Sequence, residues 1–207
     1  MTVIAIDGPA GSGKSTVARA VAQRLGLAYL DTGAMYRSIA FAALQQGVDT
    51  ADAEATAALA KATDVSVGSD GVFVDGIDAS EAIRTEDVTK AVTAVASNPA
   101  VREVMVERQR TWIAENGGGV LEGRDIGTVV CPDADLKVYL VADPEIRARR
   151  RAAEQNEAVA NDMARRDQAD STRTVSPLMR ADDAAEIDTT NLSIDEVVDV
   201  VIGLVSA

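Results

Sequence analysis

The chain has 207 residues and a formal net charge of −13, with 47% hydrophobic, 26% charged and only 3% aromatic residues. That length and balance fit one globular domain with insertions, its core built from Ala, Val, Leu and Ile rather than aromatics. Histidine is absent and cysteine occurs once, at Cys131, which excludes Ser-His-Asp and Cys-His catalysis, His-liganded metals and any internal disulfide.

Val3 to Ile6 is a short apolar run closed by Asp7, Gly8 and Pro9, and it predicts a buried strand. Lys14 to Leu25 then has helical spacing, with Val17, Val21 and Leu25 on one face and Gly26 as the stop. Ala28 to Leu30 predicts a second strand. Helices are expected over Gly33 to Gln46, with Thr32 as its cap, and over Ala51 to Ala62. From Asp64 the pattern turns to period-two alternation through Ile77, with glycines at the turns. This predicts a small antiparallel sheet inserted into the domain.

Helices are expected again over Thr85 to Ser97 and Pro99 to Asn116. Gly117-Gly-Gly reads as a flexible connector, and Val120 to Glu122 and Leu136 to Val141 as strands. Asp143-Pro144 opens a helix through Arg147, Arg149, Arg150 and Arg151. A polar helical stretch over Glu154 to Arg173 follows, then a strand at Glu186 to Thr189 and a last helix capped by Ser193. Alternating strands and helices of this kind give an α/β fold with a parallel sheet covered on both faces, whose ligands sit beyond the carboxyl ends of the strands. Those ends carry Asp7-Gly8, Asp31-Thr32, Arg124-Asp125 and Asp143.

Gly8-Pro9-Ala10-Gly11-Ser12-Gly13-Lys14-Ser15 matches the phosphate-loop pattern G-x-x-x-x-G-K-[ST], and it stands between an apolar strand and a helix as that loop requires. Its amides and the helix N-terminus cradle phosphate, Lys14 adds a point charge and the Ser15 hydroxyl suits Mg²⁺. A nucleotide polyphosphate is therefore expected to bind, with Thr16 just beyond the motif. The loop alone leaves open a GTPase switch, a mechanical ATPase or a small-molecule kinase, although the guanine-reading N-K-x-D is missing.

Arg37, near the start of the second helix, is a candidate anion contact. Arg124 and Asp125 suggest divided roles, phosphate for the arginine and an exocyclic amine for the aspartate, as when a carboxylate accepts from the cytosine amino group. Arg166, Asp170 and Arg173 fall at spacings of four and three, on one helical face. Arg147, Arg150 and Arg151 share another, so these arginines suit a lid over polyphosphate.

Four stretches carry a family resemblance: Ile6 to Thr16, Leu30-Asp-Thr-Gly-Ala-Met-Tyr36-Arg37, Gly123-Arg-Asp-Ile-Gly-Thr128 and Ser176-Pro-Leu178. As a set they resemble the bacterial cytidylate kinases, from near residue 3 to the last helix. The resemblance implies a P-loop NTPase-type sheet with core segments 1–32, 117–146 and 174–207. It also implies a monophosphate-binding region at 33–116 that carries the β insertion, and a helical lid at 147–173. It implies transfer from ATP to CMP or dCMP with Mg²⁺. Lys14, Arg124, Arg147 and Arg151 would be catalytic, and Gly8 to Thr16 would bind ATP. Arg37 and Arg124 would hold the CMP phosphate, and Thr32 and Tyr36 would also bind CMP. Asp125, Arg102 and Thr93 would read cytosine, and Asp170, with Arg166 and Arg173 beside it, would bind the sugar. Thr32 and Thr93 stand where some relatives have serine, and both keep the hydroxyl; at Thr93 a tighter base pocket is implied.

The rivals are a kinase for UMP, AMP or a shikimate-like acceptor, and a nucleotide switch without transfer chemistry. The charge disfavours nucleic acid and anionic membranes. No run approaches the ~18 apolar residues of a membrane span. A soluble, monomeric cytoplasmic protein is expected.

Overall fold

The computed structural model describes the chain except residues 69, 155–162 and 206–207, and leaves aside the side chains of 151 and 154. Five strands form one parallel sheet: β1 (Thr2–Asp7), β2 (Tyr29–Asp31), β6 (Gly118–Gly123), β7 (Leu136–Val141) and β8 (Ala185–Asp188), in the order β2-β6-β1-β7-β8. Three short strands, β3 (Val65–Gly68), β4 (Gly71–Val74) and β5 (Ile77–Asp78), form the separate antiparallel sheet that the alternation predicts. The helices are α1 (Lys14–Leu25), α2 (Thr32–Gln46), α3 (Ala53–Ala62), α4 (Glu86–Ser97), α5 (Pro99–Asn116), α6 (Pro144–Glu154), α7 (Met163–Thr172) and α8 (Ile194–Val205). Of the polar stretch read as one helix to Arg173, 155–162 lie outside the described residues and α7 ends at Thr172.

The chain divides into two compact units, residues 30–112 and the remainder. In the larger one, Ile4 and Ile6 of β1, Val120 of β6 and Val138 and Leu140 of β7 pack with Val17 and Val21 of α1 and with Val197, Val198 and Val201 of α8. Val3 and Ala5, which point to the other side of β1, are buried as well. Burial on both faces is why the central strands read as unbroken apolar runs. In the smaller unit Ala34, Ala42 and Ala43 of α2 pack against Leu59 of α3, Val72 and Val74 of β4, and Ile83.

Gly117-Gly-Gly is not a free connector. Gly118 and Gly119 are buried residues of β6. At Gly118, with φ +118°, a Cβ would stand 2.3 Å from the Thr2 carbonyl oxygen, so glycine there lets β6 lie against β1. Thr32 does not cap α2. Asp31 does, its carboxylate accepting from Ala34 N at 2.9 Å, while Thr32 is already the first helical residue.

Ser193 and Glu196 close the first turn of α8 reciprocally. The Ser193 amide donates to Glu196 Oε2 at 2.8 Å, and the Glu196 amide donates to Ser193 Oγ at 3.3 Å. The Ser193 amide and then its hydroxyl hold the Glu196 carboxyl below its usual range. Ser193→Ala is expected to cost about 1 kcal/mol and to lower Tm by roughly 2–4 °C, read by thermal unfolding.

Candidate active site

The phosphate loop closes β1 and opens α1. Gly8, Gly11 and Gly13 all have positive φ, +147°, +72° and +92°. At Gly8 a Cβ would meet the Leu140 carbonyl oxygen at 2.2 Å, and at Gly11 the Arg147 carbonyl oxygen at 2.7 Å. The loop is therefore wedged between the end of β7 and the start of α6, which only glycine permits. Lys14 is buried, and its ammonium donates to the Pro9 carbonyl at 2.7 Å. Burial first, and then the nearby Arg124, push its pKa down to about 7.

Ser15 Oγ donates to Glu122 Oε2 at 2.9 Å, and the Tyr29 hydroxyl donates to Glu122 Oε1 at 2.5 Å. Glu122 is buried near the end of β6. Two hard oxygen donors, a hydroxyl and a carboxylate, thus sit side by side at the first turn of α1. That donor set suits Mg²⁺.

Arg147 closes the opposite side of the loop. Its NH1 donates to the Ala10 carbonyl at 2.9 Å and pairs with Asp167 of α7. The other Asp167 oxygen accepts from Ala10 N at 3.0 Å. Arg150, grouped with Arg147 by spacing, donates instead to the hydroxyl and carbonyl of Thr189, at 2.9 and 2.7 Å. The Thr189 hydroxyl also lies 3.1 Å from the Ser12 carbonyl oxygen. Arg151 lies in α6, and its side chain is outside the described residues.

β1 and β6 run in register, with Asp7 level with Gly123. The chain after β6 therefore begins beside the phosphate loop. Arg124 Nε donates to Asp170 of α7 at 3.0 Å. Arg173, past the end of α7, pairs with Asp170 at 3.5 Å and Asp125 at 3.7 Å, and its Nε donates to the Ser176 carbonyl. Ser176 adopts a positive φ of +51°, and Leu178 N donates to the Asp170 carbonyl at 2.8 Å. The Ser176-Pro-Leu178 motif thus shapes the turn that returns Arg173 to the aspartates. Asp125 and Asp170 are both buried, and Arg166 is half-buried in α7.

In the smaller unit, Arg37 is buried. Its NH1 donates to the Ile83 carbonyl at 3.1 Å and to Thr89 Oγ1 at 3.0 Å. The Arg102 guanidinium lies 5.2 Å from the centroid of the Tyr36 ring and donates to the Ala96 carbonyl at 3.1 Å. That carbonyl is one turn along α4 from half-buried Thr93. Thr32, Tyr36, Arg37 and Arg102 each expose less than a tenth of their surface.

The sequence marks Asp7 only as a strand-end residue and gives no role to Tyr29, Asp167 or Thr189. Their partners lie far along the chain: Asp167 is 157 positions from Ala10 and Thr189 177 from Ser12. Spacing carries no signal at that range.

A family model described as cytidylate kinase matches residues 4–207. The chain is 51% identical to the cytidylate kinase of Geobacillus sp. (strain WCH70), over 98% of this chain and 96% of that protein. It is 51% identical to that of Bacillus subtilis (strain 168), over 95% and 92%. Among solved structures it resembles a shikimate kinase from Acinetobacter baumannii in complex with shikimate, with a TM-score of 0.52 at 15% identity over 100% of this chain and 93% of the other. It also resembles a gluconokinase from Sinorhizobium meliloti 1021, with a TM-score of 0.52 at 12% identity over 99% and 91%. These two share its parallel-sheet kinase fold. The sequence matches go further, spanning nearly the whole chain at about half identity, and the chain belongs to the cytidylate kinase family.

Proposed function

We propose that this protein transfers the γ-phosphoryl group of ATP to CMP or dCMP, giving ADP and the nucleoside diphosphate. The observation that carries the reading is the cluster of half-buried Arg124 and Arg173 with buried Asp125 and Asp170, which begins level with the phosphate loop. Alternating cations and anions there offer donors for a monophosphate and acceptors for a sugar hydroxyl and a base amine.

Gly8 to Thr16 hold the ATP phosphates. Arg37 and Arg124, with Thr32 and Tyr36, hold the acceptor's phosphate end. Arg102, Asp125 and Thr93 read cytosine, and Asp170, Arg166 and Arg173 hold the sugar. Arg147 and Arg151 neutralise charge on the moving group. The nucleophile is an oxygen of the acceptor phosphate, whose second pKa near 6 leaves it ionised at pH 7. The protein therefore needs no general base, in keeping with a chain without histidine. Its work is alignment and charge neutralisation. Ser15 and Glu122 would hold Mg²⁺, directly or through its water. Bound there, the ion supplies positive charge against the phosphoryl oxygens.

The lone cysteine suits a reducing cytoplasm, and among the described residues no helix is long and apolar enough to cross a membrane. We take the working form to be a monomer.

Initial rates over CMP, dCMP, UMP, AMP, GMP, dTMP and shikimate, with ATP and Mg²⁺, test the reading. CMP and dCMP are expected to lead by kcat/KM. A preference for another acceptor, or nucleotide binding with no acceptor turned over, contradicts it.

A further inference from the structure

Asp7 ends β1 with a buried side chain that makes no direct hydrogen bond within the phosphate loop it precedes. Its two carboxylate oxygens reach across to the chain after β6. Oδ1 accepts from Ile126 N at 2.9 Å, and Oδ2 from Gly127 N at 2.8 Å. Residues 126–130 form one wide helical turn. In it the Asp125 carbonyl accepts from Val129 N at 2.9 Å and Val130 N at 3.2 Å, and the Ile126 carbonyl from Cys131 N at 2.7 Å. The first amides of any helical turn have no partner inside it. Here a carboxylate 119 positions away in sequence supplies both.

Gly127 completes the fit. A Cβ there would stand 3.2 Å from two carbons of the Lys137 side chain and 3.5 Å from Asp7 Oδ2. Lys137 is itself buried, and its ammonium is held by both oxygens of Asp183, at 2.9 and 2.7 Å. The turn is gripped between a fixed lysine stem and the Asp7 carboxylate. Asp125 sits where that grip begins. Its own carbonyl is held by the turn, and the next two amides are held by Asp7.

We propose that Asp7 is a positioning residue for acceptor selection: as a tertiary cap on the 126–130 turn, it fixes where Asp125 and Arg124 present their side chains. This rests on the reading that those two residues meet CMP. The same grip leaves little room at Gly127, which offers its amide to Asp7: a Cβ there would press on the Lys137 stem, which would have to give by a few tenths of an ångström. Burial pushes the Asp7 carboxyl up to about 6 against the pull of the two amides and of nearby Lys14, and the Asp125 charge adds to the rise.

Asp7→Asn keeps the shape but presents an amide group to one of the two donors. Loss of one hydrogen bond to a charged acceptor corresponds to about 10- to 100-fold. That loss is expected in kcat/KM for CMP, with the ATP Kd within about threefold. The CMP-to-UMP ratio of kcat/KM is expected to fall at least about tenfold, because the base-reading Asp125 is loosened. Gly127→Val, which leaves Asp7 in place, is expected to move the same ratio in the same direction. Hydrogen exchange on the wild-type protein gives a readout independent of activity and of any variant's folding. The Ile126 and Gly127 amides are expected to be protected, although they open a turn. An unchanged CMP-to-UMP ratio in the variants, a loss of ATP affinity as large as the loss for CMP, or rapid exchange of both amides in the wild type would each overturn the proposal. If the wild type leaves CMP untouched, the acceptor reading fails, and the exchange result still decides whether Asp7 caps the turn.

Discussion

Lys14→Ala is expected to lower kcat by about a thousandfold or more, with melting temperature little changed. In the free protein the Lys14 ammonium is buried against the Pro9 carbonyl, and burial together with Arg124 depresses its pKa to about 7. Such a cation is held against the cost of its burial. A bound triphosphate reverses the balance. Its negative oxygens favour the ammonium and raise its pKa again. On the proposed reading the charge is then delivered where the phosphoryl group moves. Loss of a single preorganised contact of this kind costs about 10²–10³ in rate, and on the proposed reading Lys14 serves two donor phosphates, so the upper end or beyond is expected. Steady-state rates at saturating ATP and CMP, with melting curves, test this. Near-normal turnover would remove Lys14 from the transfer step.

Asp125→Ala is expected to lower kcat/KM for CMP by about 10²- to 10³-fold and to leave UMP little affected, read by initial rates with both acceptors. Cytosine presents an amino donor where uracil presents a carbonyl acceptor. A buried carboxylate rewards the first and repels the second. Asp125 exposes 4% of its surface, so water cannot take over its role. The variant should still fold. Arg173 keeps Asp170 and the Ser176 carbonyl as partners, and Arg124 keeps Asp170. Equal losses for the two acceptors would take Asp125 out of base reading.

Much of this architecture is legible in the chain because it is locally encoded. Val3 to Ile6 and Leu136 to Val141 are apolar runs bounded by Asp, Gly or Pro, and both are strands. The phosphate loop is legible because its glycines answer to backbone geometry, at Gly8 and Gly11 through contacts that admit no Cβ. Two local readings fail for local reasons. Asp31 competes with Thr32 for the cap and wins with a carboxylate one residue earlier. Gly118 and Gly119 look flexible by composition but lie in a strand, because β1 comes too close for larger residues.

The polar contacts are less legible. Helical spacing gathers Arg147, Arg150 and Arg151, yet Arg147 turns to Ala10 and Asp167 while Arg150 turns to Thr189. Nor does any pattern in the sequence connect Asp7 to Ile126, or Arg102 to the ring of Tyr36. Such pairs form because sheet order brings distant strand ends level, or because helices pack. They become visible only once the topology is known.

The most direct measurement follows ATP labelled in its γ-phosphate through a single turnover with Mg²⁺ and CMP. The account predicts that the label appears in the β-phosphate of CDP, with little free phosphate and almost none released when CMP is omitted. Label released as inorganic phosphate at the same rate with or without CMP would contradict it.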